Sequence, residues 1–370
     1  MEIVIIMNIF VIATTLQAGG GITIYKQFLS HLPEHIGQNK YWIFVNPVLP
    51  QVVIEGVIYI SFPLQSKIKR TLFEDKLLKA EITKLRVKPD VVVSLQNKGY
   101  KCFNACKQLV YFHQSLPLYP GSYNPFKRSE RYLFNYKHIF PRLVKRTWVK
   151  NTQFVVQTPV VKKRFASYFD IPLENVHVCF PDIEKIDPSQ GEIHDWGDEC
   201  FHFLYVSACA KYQNGITLIK AVELLYKKNP DLASKIRIHI TSNPHRAPVM
   251  YKQIQKHGVA DNFIFEDSIK HDLLMNYYKS ISALLFPSSI ETVGLPMLEA
   301  AAFGTPEIVA DVDYAHYVVD GYEGVTYKNV EDYGAWAEAI ENACNNKRII
   351  IPLVQIRESE WFTFFKLTQG

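Results

Sequence analysis

The sequence predicts an α/β protein made of two doubly wound domains that face each other across a cleft. Short apolar runs without polar alternation recur between longer helical patterns, which is how strands of a parallel sheet read when both faces are covered. The alternation breaks once, at Pro181–Cys200, where prolines, glycines and acids carry no apolar period. A chain of 370 residues also exceeds the size at which a single hydrophobic core stops growing.

In chain order, Ile9–Ala13, Tyr41–Val45, Val91–Ser94, Leu109–Phe112, Phe154–Gln157 and Val176–Phe180 are the predicted strands of the first domain. Phe203–Val206, Ile236–Thr241, Phe263–Glu266, Ala283–Phe286 and Ile308–Ala310 are those of the second, with helices at Ile216–Lys228, Pro248–Lys256 and Leu295–Phe303. The expected organisation is a Rossmann-like first domain over residues 1–183, a linker over 184–200, a Rossmann-like second domain over 201–345 and a C-terminal segment over 346–370. Trp361, Phe362, Phe364 and Phe365 suit that last segment to packing back on the first domain. Ligands of such sheets bind at the carboxyl ends of the strands.

Composition narrows the classes. With 48% apolar and 21% charged residues, 17 Gly and 20 Pro, the chain is neither disordered nor collagenous nor of low complexity. The apolar run Ile3–Ala13 is about half the roughly 20 residues that a bilayer span needs and lacks a preceding basic region, so it reads as a buried strand rather than a signal peptide. Met7 is an alternative start to Met1. Cys102, Cys106, Cys179, Cys200, Cys209 and Cys344 form no CxxC pair, which argues against a zinc site or a disulfide framework and fits a reducing cytoplasm. Cys102 and Cys106 have the spacing of one helix face, as small buried side chains.

Charge is concentrated. The net charge is +5, yet residues 126–150 hold eight Lys or Arg against one Glu. Arg128, Arg131, Lys137, Arg142, Lys145 and Arg146 interleave with Tyr132, Phe134, Tyr136, Phe140 and Trp148. Such a mixture suits an anionic membrane surface, where each basic residue contributes about 1 kcal/mol, and it equally suits a solvated amphipathic helix. Nucleic acid is not the expected partner, since no binding motif accompanies the patch. The expected location is the cytoplasm, with peripheral contact at the inner face of the plasma membrane.

The chemistry concentrates in PSSIETVGLPMLEAAAFGTPEIVADVDYAHYV, Pro287–Val318. A strand end passes through a loop into a helix at Leu295, with Pro296 in the first turn, where its missing N–H breaks no bond. The unpaired N–H groups of such a start attract phosphate. Glu291 in the loop and Glu299 in the helix flank that seat, and carboxylates beside a phosphate are better matched to sugar hydroxyls than to the anion itself. Upstream, TLQAGGGITIYKQFL places Gly19, Gly20 and Gly21 between a strand and a helix, without GxGxxG spacing, so a flexible turn and a ligand loop are both open. His113 follows the strand Leu109–Phe112, where a satisfied core histidine is the competing reading.

The spacing from Glu291 to Glu299 within ETVGLPMLEAAAFGTPEIV resembles the E-x7-E signature of retaining nucleotide-sugar glycosyltransferases of family 4, with Gly304, Thr305 and Pro306 also in place. The resemblance implies the GT-B fold and a nucleoside diphosphate sugar as donor. It would give Glu291 and His113 contacts with the transferred sugar, and Glu299 the ribose. The amides of Val293, Gly294 and Leu295 would hold the sugar and diphosphate, and Gly19–Gly21 would face the diphosphate. The second domain would hold the nucleotide and the first the acceptor.

One departure stands out. The family carries an arginine and, five residues on, a lysine against the diphosphate, whereas Ala208 and Gln213 occupy those places and Lys211 is displaced by two; Lys211 is expected to bind the donor by reaching the diphosphate from its own position, the alternative being weaker charge neutralisation. Asp311–Asp313 mimics the metal-binding DxD of another glycosyltransferase fold but reads here as a loop acid, and no metal or other cofactor is expected. The function expected is sugar transfer with retention to a carbohydrate or lipid-linked acceptor in cell-surface polysaccharide or glycolipid assembly. A nucleotide-sugar epimerase and a non-catalytic binding protein are the alternatives. Loops Thr241–His245 and Glu266–Ile269 are expected to set specificity.

Overall fold

The computed structural model describes residues 6–16, 20–62, 67–183, 187, 191–345, 351–353 and 358–369. Two compact units emerge: Met1–Leu118, Phe134–Asp182 and Arg357–Gly370 form the first, and Tyr119–Leu133 with Ile183–Ile356 the second.

The first unit is built on a seven-stranded parallel sheet in the order β3-β2-β1-β4-β5-β6-β7. Its strands are β1 Asn8–Ala13, β2 Lys40–Val45, β3 Val57–Ser61, β4 Val91–Ser94, β5 Lys107–Tyr111, β6 Thr152–Val156 and β7 Val176–Val178. The register places Val11 between Ile43 of β2 and Val93 of β4. Along β1, Ile9, Val11 and Ala13 enter one apolar cluster with Ile24, Phe28 and Leu32 of the helix Gly20–His35, while Phe10 and Ile12 enter another with Phe44 and Val92. Burial on both faces is why the strand sequence shows no alternation. β3, absent from the sequence reading, is an edge strand with no fully buried residue, so its apolar signal is weak.

The helix Trp361–Gln369 closes this core: Phe28 stacks on Phe365 at 5.4 Å, and Trp361, Phe364 and Phe365 are wholly buried. Glu360 ties the same segment to the strand end by accepting from Phe180 N at 2.8 Å.

The second unit holds a six-stranded parallel sheet, β10-β9-β8-β11-β12-β13. Here β8 is Phe201–Tyr205, β9 Ile236–Ile240, β10 Phe263–Phe265, β11 Ala283–Phe286, β12 Glu307–Ala310 and β13 Val325–Lys328. Phe203, Tyr205, Ile238, Ile240 and Leu285 pack with Leu218, Val222 and Leu225 of the helix Gly215–Lys228. The edge strand β13 was also missed in the sequence.

The structure differs from the sequence reading in three places. Tyr119–Leu133 lies in the second unit, not the first. The described part of the expected linker, residues 191–200, is folded onto the second unit. Glu192 and His194 donate backbone N–H groups to Asn276 and Ser280, and Trp196 stacks on His202 at 4.1 Å and on His239 at 4.4 Å. A chain of polar contacts, Asp198 to His202 to His239 to Glu266, runs beneath it. Cys102 and Cys106 do not share a helix: a single 3-10 turn covers Lys101–Phe103, and the Cys106 thiol donates to Pro89 O.

The basic stretch is divided between the two units. Phe126–Leu133 belongs to the second unit and Phe134–Lys150 to the first, and Trp148 turns inward against Phe154 and Phe169. Among the described residues, no helix is long and apolar enough to cross a membrane.

Candidate functional site

Both sheets reverse direction of winding beside their first strand, so the loops leaving two neighbouring strands diverge there and open a crevice at the carboxyl ends. In the second unit those neighbours are β8 and β11, followed by the loops 206–214 and 287–294. The loops are stitched together. Asn214, itself in the left-handed region at φ 50°, donates its amide to Pro287 O and Ser289 Oγ, and Ser289 N donates to Tyr212 O.

Glu291 sits in the second of these loops, half-buried. Ser288 Oγ donates to its Oε1 at 2.8 Å, and the Gln213 side chain is a further partner. Gln213 accepts at Oε1 from Ser207 Oγ and Ala210 N, which leaves its NH2 group to serve Glu291. Enclosure of the carboxyl, only partly offset by these two hydrogen bonds, pushes Glu291 up to about 7. A neutral amide cannot hold a carboxylate ionised as a cation would.

The loop then enters the helix Leu295–Ala302 through Gly294, whose φ of +86° lies in the left-handed region that favours glycine. A Cβ there would make only ordinary contact with Tyr314, 3.5 Å away, so the backbone angle is what calls for glycine; Tyr314 donates its hydroxyl to Ser288 O. Val293 is buried and Leu295 exposed. Glu299 lies within the helix and accepts from the Tyr278 hydroxyl at 2.8 Å.

Lys211 is not presented as an open cation. Its Nζ donates to Glu130 Oε2 at 2.9 Å and to Ser122 O at 3.1 Å. Both partners come from Tyr119–Leu133, the segment that joins this unit from far earlier in the chain. Ala208 is exposed and supplies no charge. Asp311 of the DVD triplet accepts from His316, and Asp313 opens the helix Asp313–Val318.

In the first unit the winding reverses between β1 and β4. Gly20 and Gly21 are the first residues of the helix after β1 rather than a loop before it, and Gly19 lies outside the described residues. A Cβ on Gly21 would come within 2.9 Å of Leu16 Cδ2 and 3.2 Å of His113 Nε2, so glycine is what lets this helix start approach the histidine.

His113 lies just beyond β5. Asn97 clamps it, accepting from its backbone N at 2.7 Å and lying 3.2 Å from Nε2 through its amide nitrogen. The ring is therefore neutral with its proton on Nδ1, and burial lowers its pKa to about 4. Nδ1 is buried and meets no hydrogen-bond partner among the described residues. A buried, unsatisfied donor at the end of a parallel strand is suited to a ligand oxygen.

Sequence reasoning missed Asn97, Gln213 as the neighbour of Glu291, Glu130 as the partner of Lys211, and the buried Glu74. Glu74 is paired with Lys98 and held by Thr14, Gln96 and Tyr100. None lies in a motif. A legible signal that was passed over is the pair His31 and His35, one helical turn apart.

Residues 189–357 match the family described as "Glycosyl transferases group 1". The chain is 23% identical over 197 residues to the D-inositol 3-phosphate glycosyltransferase of Paenarthrobacter aurescens, covering 51% of this chain and 48% of that protein. To the O-antigen chain mannosyltransferase RfbU of Salmonella typhimurium it is 24% identical over 259 residues, 68% of this chain and 67% of the other. The chain thus spans about half the length of the first relative and two thirds of the second.

Among solved structures, WaaG, a glycosyltransferase involved in lipopolysaccharide biosynthesis, superposes with a TM-score of 0.61 at 15% identity, over 98% of this chain and 100% of that one. The sucrose-phosphate synthase of Thermosynechococcus elongatus gives 0.64 at 16% identity, over 98% and 94%. The fold is GT-B, with two parallel-sheet α/β domains. The match to the group 1 family falls almost wholly within the second unit.

Proposed function

We propose that the protein is a glycosyltransferase that moves a sugar from a nucleoside diphosphate sugar to an acceptor hydroxyl with retention of anomeric configuration. The observation that carries this reading is the setting of Glu291: a carboxyl enclosed by Ser288 and Gln213 in the loop that delivers Gly294 to a helix start. The group 1 domain over residues 189–357 supports it.

In this reading Glu291 accepts hydrogen bonds from the transferred sugar and Glu299 from the ribose, while the N–H groups of Val293, Gly294 and Leu295 face the sugar and diphosphate. His113 offers its Nδ1–H to a sugar oxygen, and Gly19–Gly21 keep the role toward the diphosphate that the resemblance implies. As the diphosphate leaves, its growing charge falls mainly on backbone N–H donors, because Lys211 is already paired. The acceptor attacks from the face the leaving group vacates, so no dedicated enzymic nucleophile is needed, and the transfer calls for no metal. The names of RfbU and WaaG favour a carbohydrate or lipid-linked acceptor in cell-surface polysaccharide or glycolipid assembly. Exposed Arg142, Lys145 and Arg146 favour work at an anionic membrane surface.

The paired Lys211, together with Ala208 and Gln213, favours one second reading, a nucleotide-sugar-binding protein without turnover. Incubation with a panel of UDP- and GDP-sugars and candidate acceptors separates the two. Release of nucleoside diphosphate with an axial or equatorial linkage matching the donor supports retaining transfer. An isomerised sugar still on its nucleotide means epimerisation, and binding without change means the second reading.

A further inference from the structure

On the helix Gly20–His35, the side chains of His31, Glu34 and His35 fall at positions i, i+3 and i+4, and one ligand atom from each lies within 4.8 Å of the other two. Both rings are already oriented. His31 stacks on Trp361 at 6.0 Å with 20° between planes, and its Nε2 lies 2.8 Å and 3.0 Å from the two carboxylate oxygens of Asp182. His35 stacks on Phe365 at 4.7 Å with 23° between planes. A carboxylate on one ring nitrogen is the arrangement that fixes tautomer and orientation in metal-ligating histidines. Two imidazoles and one carboxylate make a borderline N,N,O donor set, which selects transition metals over magnesium or calcium.

We propose that His31, Glu34 and His35 form a binding site for a divalent transition metal, zinc in the first place, with Asp182 positioning His31. Small side-chain rotations bring the three donors to the roughly 2.0–2.2 Å that zinc requires, and the exposed Glu34 has room to make them. Trp361 and Phe365 belong to the C-terminal helix, so the bound ion would brace the histidines against which that helix docks within the first unit. The site has no part in sugar transfer and stands whether or not the protein proves to be a transferase.

The test uses the full chain, free of any polyhistidine tag and stripped with chelator, titrated with zinc against a chromogenic competitor. One equivalent should bind at pH 7.5 and raise the melting temperature. His35→Gln, at the last residue of the helix, gives up the stack on Phe365, so it is compared with the parent at a temperature where both are folded without zinc; it should lose at least about tenfold in affinity, and Asp182→Asn should lose about tenfold. Should His31→Gln disturb folding, the His35→Gln comparison decides alone. Absence of zinc binding, or equal binding by parent and His35→Gln, overturns the proposal.

Discussion

Lys211 Nζ lies 2.9 Å from Glu130 Oε2, so the one lysine near the expected phosphate-binding position is neutralised by a residue 81 places earlier in the chain. Asn124 N and Lys127 share the same carboxylate, and these cations and donors hold it below the usual carboxylate range. Lys211 is half exposed, so the pair itself is worth little, typically 0–1 kcal/mol. Its importance is that it takes a charge away from any bound anion. Glu130→Gln should therefore strengthen binding of nucleoside diphosphates several-fold by calorimetry, with little change in melting temperature. Unchanged affinity would place the diphosphate elsewhere.

Glu291 offers a pH handle. Its carboxyl is pushed up to about 7 because burial disfavours the charged form, an effect that the hydrogen bonds from Ser288 and the neutral Gln213 only partly offset. If the carboxylate is the working form, kcat/KM should rise as pH increases through about 7. Gln213→Lys would put a cation beside the carboxylate, move that rise to lower pH and flatten the profile above 6. Glu291→Gln should abolish the rise and depress turnover more than donor binding. A profile identical in parent and Gln213→Lys would remove Glu291 from the rate.

Burial dominates at Glu307, the enclosed first residue of β12, and pushes it well above the usual carboxylate range against a small opposing contribution from the Ala301 backbone. The sign follows from which state binds the proton more tightly. The folded state does, so the stability contributed by the protonated group is complete below the unfolded value near 4.5 and is lost as pH rises above it. Glu307→Gln removes the titration, and thermal melts should show it more stabilising at pH 8 than at pH 5. Equal effects at the two pH values would contradict the assignment.

At Phe140–Lys145, the exposed Leu143 accompanies exposed Arg142 and Lys145, with exposed Ile139 and Arg146 on either side. Basic side chains around protruding apolar ones suit a headgroup layer. Charge reversal at Arg142, Lys145 and Arg146 should abolish co-sedimentation with phosphatidylserine vesicles while leaving neutral vesicles unaffected. Sedimentation that survives the reversal would refute the membrane contact.

Much of this protein was legible from local patterns. The strands β1, β2, β4 and β11 were readable because they are buried on both faces and their apolar runs are uninterrupted, whereas β3 and β13, at sheet edges, carry half the signal. The loop and helix bearing Glu291, Gly294 and Glu299 were readable because all three lie within nine residues of sequence. The expected glycine loop became the first turn of a helix because Gly21 must pass within contact of His113, a neighbour 92 residues away.

The sequence by itself determined the two parallel-sheet units and the place of the carboxylates at a strand-to-helix turn, since hydrophobic period and turn chemistry are local properties of the chain. Only the tertiary structure decided the electrostatic state of the site. That Lys211 meets Glu130, that Glu291 meets an amide, and that the His113 Nδ1–H meets no partner among the described residues all depend on groups distant along the chain. The reason is physical: charge and proton affinity are set by whatever lies within a few ångströms in space and by how much water is excluded, neither of which a linear order of residues specifies.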